Sequence, residues 1–213
     1  MKTEALIERL SEQAPPARPG LAPRVVAASL AAGGAVSFAL MLVWLGLRPD
    51  LSEAAATSAY WMKFFYTLLF AASAGWTLTR LAQPGAPALR QSLLEIAPFA
   101  ALAAWSAMRL VNAPEEARMP LLMGASHQVC PWRIAALSLP ILAALLLGLR
   151  RLAPTRPTLA GLAAGLTAGA AGAFVYAFHC DESAAPFVAL WYTLGIAAVG
   201  ALGALLGRHL LRW

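Results

Sequence analysis

The amino-acid sequence predicts an all-α integral membrane protein, a bundle of six transmembrane helices with short loops and both termini in the cytoplasm. Three observations lead there: a depleted charge content, six long apolar runs, and a lopsided distribution of Lys and Arg. Of the 213 residues, 60% are apolar and only 12% are charged, whereas soluble domains run at about 45–50% and about 25%. So few polar side chains cannot clothe a water-soluble globule, and the same numbers exclude intrinsic disorder. The mean hydropathy of +0.67 agrees.

The chain opens with a polar segment, residues 1–24, read as a cytoplasmic tail. It carries acidic residues and no apolar run, unlike a cleavable signal peptide. Leu6, Ile7 and Leu10 fall on one face of a short helix that Thr3 is placed to cap. About twelve residues are marginal as a lone helix in water, so this face calls for a partner or the membrane interface, unless the tail is simply frayed. The Pro-rich stretch 14–23 follows as a semi-stiff spacer.

Crossing the hydrocarbon takes about 20 mostly apolar residues. Six stretches qualify: 25–47, 58–79, 93–112, 131–149, 158–178 and 185–206. The third and fourth each contain a proline, Pro98 and Pro140, which buried membrane helices tolerate when neighbours satisfy the freed carbonyl. The organisation expected is therefore a tail (1–24), a six-helix domain (25–207) and a short cytoplasmic end (208–213).

Charges orient the bundle. The tail, the two even-to-odd loops and the C-terminal end hold Lys2, Arg9, Arg18, Arg24, Arg80, Arg90, Arg150, Arg151, Arg156, Arg208 and Arg212, which is 11 basic residues. The opposite loops and their helix ends hold 4: Arg48, Arg109, Arg118 and Arg133. Asp50, Glu53, Glu115, Glu116, Asp181 and Glu182 all lie on that second side. By the positive-inside rule both termini are cytoplasmic. The net charge of +6 needs no nucleic acid to explain it, and no basic stripe with interleaved aromatics occurs.

Helix packing is written into the glycines. Gly161, Gly165 and Gly169 recur every fourth residue beside Ala160, Ala164 and Ala168, and Gly195, Gly203 and Gly207 repeat the idea. Such faces let backbones approach closely where lipid supplies no hydrophobic drive between helices. Tyr60, Trp61, Trp132, Trp191 and Tyr192 lie near span ends, as in an interfacial aromatic belt. Lys63, just inside the second span, is expected to snorkel to the interface, and Glu95 and Arg109 sit near the ends of the third. No metalloprotease, hydrolase or nucleotide-binding motif is present. Catalysis has no visible home.

One constellation stands apart. Cys130 and Cys180 are the two cysteines of the chain, with His127 three residues before the first and His179 beside the second. Topology puts both cysteines at the non-cytoplasmic ends of the fourth and fifth spans. Three readings stand open: a structural disulfide in an oxidising compartment, two small apolar side chains, or a redox- or metal-responsive pair with imidazoles as further ligands.

Several blocks in order resemble a known family. They are residues 1–7 (MKTEALI), 46–51 (GLRPDL), 137–140 (LSLP), 150–157 (RRLAPTRP), 160–166 (AGLAAGL), 176–182 (YAFHCDE) and 191–195 (WYTLG). The chain is similar, over essentially its whole length, to the six-helix bacterial membrane anti-sigma factors called negative regulators of sigma F. That resemblance implies a signalling protein of the inner membrane rather than an enzyme. It implies a tail that holds a sigma factor of the extracytoplasmic-function class, with no direct contact to nucleic acid. It also implies that two periplasmic-side cysteines, matching Cys130 and Cys180, respond to metals such as chromate and cadmium, with no resident cofactor beyond a transient metal ion. The family often has Pro after the second cysteine, where this chain has Asp181. The competing class is a small transporter of metals or organic solutes, built on broken helices with polar groups at the midplane; Pro98 and Pro140 are its only hints.

Overall fold

A computed structural model describes Thr3, Glu4, Glu8 and residues 20–83 and 93–212. Leu6, Ile7 and Leu10 lie outside the described residues. Within them the chain is helical, with no strand. In chain order the helices are α1 (Leu21–Trp44), α2 (Leu51–Ala55), α3 (Ser58–Leu81), α4 (Leu93–Asn112), α5 (Glu115–Met123), α6 (Cys130–Leu149), α7 (Pro157–Tyr176) and α8 (Ala185–Leu210).

Each long helix begins and ends for a local reason. α1 stops where Gly46 takes a left-handed φ of 75° and the N–H groups of Leu45 and Gly46 both donate to the Met41 carbonyl, a glycine-dependent helix stop. α3 starts at Thr57, whose hydroxyl accepts from the Tyr60 N–H at 3.3 Å. Pro131 and Pro157 occupy the first turns of α6 and α7, where the missing N–H costs nothing. α8 is continuous except for a π-helical turn over Val188–Tyr192. Such a turn re-aims side chains within a helix; here it carries Trp191 and Tyr192.

All six expected helices form, but four rather than six are long and apolar enough to cross a membrane: α1, α6, α7 and α8. In α3 the length is ample at 24 residues, yet Lys63, Thr67 and Thr77 dilute its hydropathy, and all three are buried against the bundle. The apolar part of α4 is the shorter stretch Ile96–Asn112. Two short helices, α2 and α5, form in connections where the sequence predicts loops.

α7 is the central element, packing against α8, α3 and α6. Its face of small residues is what allows this. A Cβ on Gly165 would stand 2.4 Å from the Val199 carbonyl oxygen and 2.8 Å from the Gly200 Cα, both in α8. On the facing helix, a Cβ on Gly203 would meet the Gly161 carbonyl at 2.3 Å. The backbones of α7 and α8 are therefore in direct contact, as the glycine spacing implies. α1 approaches α6 the same way, with Gly33 against the backbone of Ile141. Trp61 and Trp132 are exposed, as an interfacial belt requires, but Tyr60 and Tyr192 are buried.

Candidate functional site

The site assembles at one end of the bundle, where the 177–184 connection between α7 and α8 folds over the start of α6. Cys130 is the first residue of α6 and is 0% exposed; Cys180 in the connection is 2% exposed. The two thiols are hydrogen-bonded to each other and are not joined by a disulfide. A sulfur pair is therefore formed from residues fifty positions apart. Tyr176, Tyr192, Phe187 and Ile134 wall it off from solvent.

The backbone around Cys180 is held by cations. Lys63, which is 0% exposed, reaches from α3 and donates through Nζ to the carbonyls of Cys180 at 2.5 Å and Glu182 at 3.1 Å. The expected snorkelling of Lys63 is thus corrected. Two carbonyls aimed into the bundle and the face of Tyr60, 5.6 Å away, satisfy the ammonium inside, so it has no need to reach water. Arg48, just past α1, adds a bond from Nη1 to the Cys180 carbonyl at 3.2 Å. Its other edge grips Asp50 in a bidentate pair at 2.8 and 2.7 Å, which holds the Asp50 carboxyl below its ordinary range.

The Cys180 thiol itself is held below the usual thiol range. Its largest cause is the hydrogen bond from the Cys130 thiol; the nearby Lys63 ammonium and the Tyr192 hydroxyl act in the same sense, against the opposing effect of burial. The pair is thus poised asymmetrically, with Cys180 the more readily ionised sulfur. Tyr192 Oη is fully buried and finds no well-formed hydrogen-bond partner.

The histidines do not join the sulfurs. His179 contacts the Gly46 carbonyl through Nδ1 at 3.1 Å and Arg133 through Nε2 at 3.3 Å, which ties the connection to the exit of α1 and the first turn of α6. His127 lies with its ring 5.3 Å from that of Trp191, and its Nδ1 is buried without a partner. Among the described residues no group of three or more His, Cys, Asp and Glu side chains gathers to hold a metal. Two sulfurs alone suit a soft cation of low coordination number.

The turn before α6 closes the site from the other side. Glu182 accepts from the Ala125 N–H at 2.6 Å, and Gly124 is at φ 54°. A Cβ there would sit 2.6 Å from the Glu182 carboxylate and 2.7 Å from the Phe187 ring, so only glycine fits. A cleft of about 200 Å³, lined in part by Ser58, Trp105, Arg109 and Ser183, opens beside the connection.

Sequence reasoning singled out the cysteines and missed the groups that hold them: Lys63, Arg48, Tyr192 and the Gly124–Glu182 contact. For Lys63 a signal existed, because an ionisable residue within a membrane helix is expensive and is a functional candidate by default.

The profile of the family described as negative regulator of sigma F matches residues 10–213. A protein of Caulobacter vibrioides named anti-sigma-F factor NrsF is 39% identical over 214 residues, covering 100% of both chains. One of Azospira oryzae, named probable anti-sigma-F factor NrsF, is 39% identical over 213 residues, again with 100% of both covered. No solved structure matches. Identity at this level along the whole length leaves one assignment: the chain belongs to the family of negative regulators of sigma F, whose role is regulatory rather than catalytic.

Proposed function

We propose that this protein is a multi-pass anti-sigma factor of the bacterial inner membrane. In this reading it sequesters a sigma factor of the extracytoplasmic-function class through its cytoplasmic tail, residues 1–24, and releases it when a metal or oxidant acts on Cys130 and Cys180. The observation that carries the reading is the buried, unbridged thiol pair joining the start of α6 to the connection after α7. Family membership and the names of the two relatives support the sigma-factor partner.

All six long helices cross the bilayer in this arrangement, with the basic-rich side and both termini in the cytoplasm. Helix α3 is carried across by burying Lys63, Thr67 and Thr77 against the bundle, and α4 by packing against α3 and the start of α8. The thiols then face the periplasm, where soft cations and oxidants arrive first. The chain needs no resident cofactor; a metal ion is the signal and binds transiently, with Cys130 and Cys180 as its sulfur ligands and His127 and His179 moving in only if the connection rearranges.

α1 is the natural transmitter, because the tail leads straight into it. At its far end it is tied to the thiol connection by the Arg48 N–H to Phe178 carbonyl bond at 3.1 Å and by His179 on Gly46. Along its length Gly33 lies against Ile141 of α6. Drawing Cys130 and Cys180 onto one metal, or oxidising them to a disulfide, changes the strain on α6 and on the connection, and both bear on α1. Coupling of this kind requires two discrete packings of the bundle that both ends bias.

The test is retention of the sigma factor by the membrane protein. Full-length protein extracted in detergent should co-purify with it, and a version lacking residues 1–24 should not. Leu6→Asp and Leu10→Asp place a charge on the apolar tail face, where a few anchors carry most of a helix-in-groove affinity. Both should stay in the membrane and free the sigma factor constitutively. Retention by both variants and by the truncation overturns the role of the tail.

A further inference from the structure

We propose that the Arg150–Arg151 end of α6 binds an anionic phospholipid of the two-phosphate, four-chain class. Two apolar grooves run along opposite flanks of α6 toward that end. One, of about 390 Å³, lies between α6 and α8 and runs from Leu139 past Leu146, Leu206 and Leu210 to Arg150. The other, of about 320 Å³, lies between α1 and α6, is lined by Ala28, Ala32 and Ala144, and ends at Arg151. Leu147, 62% exposed, forms a wall of both.

The dimensions fit acyl chains. From Leu139 to Arg150 is eleven residues, roughly 16 Å at 1.5 Å per residue, which is about half of a hydrocarbon core roughly 30 Å thick. A chain lying in the first groove thus spans one leaflet; the second groove, from Ala144 to Arg151, holds about 10 Å of a chain next to the headgroup, and each groove brings that headgroup level with an arginine. This follows from the grooves alone and does not depend on which side of the membrane that end faces.

The charge at the mouth selects an anion. No acidic residue occurs between Glu116 and Asp181, nor after Glu182, while Arg150, Arg151, Arg156, Arg208 and Arg212 all fall in these stretches. Arg150 and Arg151 are exposed, and the Arg48–Asp50 ion pair lies at the other end of the bundle. Basic pockets between membrane helices recognise anionic headgroups. Two adjacent arginines, each closing a different groove, match two phosphates joined by a short linker with chains diverging around Leu147. A lipid with one phosphate fills one groove and leaves the second arginine unmatched.

Native mass spectrometry of the full-length protein, in detergent micelles containing equimolar cardiolipin, phosphatidylglycerol and phosphatidylcholine, tests this. Cardiolipin should be retained over both others. Arg150→Gln and Arg151→Gln should each lower its retention about fivefold, from the roughly 1 kcal/mol expected per basic residue at an anionic surface. Leu147→Trp, which fills the grooves without changing charge, should lower it too. Arg208→Gln, equal in charge change but lining neither groove, should leave retention unchanged. All four positions are exposed, and matching thermal midpoints will show that folding is intact. Equal retention of cardiolipin and phosphatidylglycerol per phosphate, or an Arg208→Gln effect as large as that of Arg150→Gln, overturns the proposal. So does displacement of cardiolipin by inorganic phosphate alone, which would mark a simple anion site.

Discussion

Lys63 Nζ donates to the Cys180 carbonyl at 2.5 Å from within α3, so the helix and the thiol-bearing connection are joined by a buried cation. A buried ammonium without a carboxylate is tolerable only because carbonyl oxygens replace its water. Lys63→Met keeps the approximate length of the side chain and removes the donor. The Cys180 carbonyl retains Arg48, but the Glu182 carbonyl loses the bond it has from Nζ. An orphaned buried acceptor costs about 1–3 kcal/mol, offset in part by relief of the buried charge. Thermal unfolding in detergent should show a net loss within that range, and alkylation of Cys180 by a small maleimide should speed up as the connection loosens. An unchanged labelling rate would show that Lys63 does not position the thiol.

The contact of α7 with α8 gives a sharper contrast. Gly165→Ala forces a methyl to within 2.4 Å of the Val199 carbonyl, and the two backbones must separate. Overpacking of this sort costs about 1–3 kcal/mol. Gly34→Ala, where nothing lies within 4 Å of the new Cβ, should be neutral or slightly stabilising, because alanine is the better helix former by about 1 kcal/mol. Both can be measured by thermal unfolding under one detergent condition. Equal effects would mean that the helices do not meet at this face.

These glycines also show how much of the molecule is readable before folding. A four-residue glycine repeat has few uses in an apolar helix, so Gly161 and Gly165 announce their contact with α8. The long helices are legible for the same reason, since uninterrupted apolar runs have one economical fate. Helix α3 is harder to read, because Lys63, Thr67 and Thr77 dilute its hydropathy while being the residues that face inward. For the site, the sequence names Cys130 and Cys180 but not their surroundings. The pocket walls come from α7 and the π-helical turn of α8, and the Gly124–Glu182 contact joins residues far apart in the chain. No local pattern encodes such a meeting. The histidines mislead in the opposite direction: His127 and His179 are close to the cysteines in sequence, yet their rings are turned to Trp191 and to Gly46 and Arg133.

The thiols themselves give the prediction on which the signalling mechanism depends. Both are buried and unbridged, and their hydrogen bond does not require sulfur. Serine, slightly smaller and still able to donate and accept, should therefore leave the fold and membrane insertion intact. Cys130→Ser and Cys180→Ser are expected to keep normal abundance and hold the sigma factor, while losing induction by cadmium or chromate. A purely structural disulfide predicts the reverse, with loss of protein in both variants and no dependence on metal. Cys180→Ser should be the more severe, since Cys180 is the sulfur that ionises more readily and is anchored by Lys63 and Arg48. His127→Ala should weaken the response less, because its Nδ1 has no partner to lose. His179→Ala should instead raise basal release, because it cuts a tie between the connection and Gly46 at the exit of α1. Immunoblots for abundance, read beside sigma-dependent transcription with and without metal, separate these outcomes. Full inducibility of both serine variants would remove the thiols from the mechanism and leave the cation-held connection as the place to look for the signal.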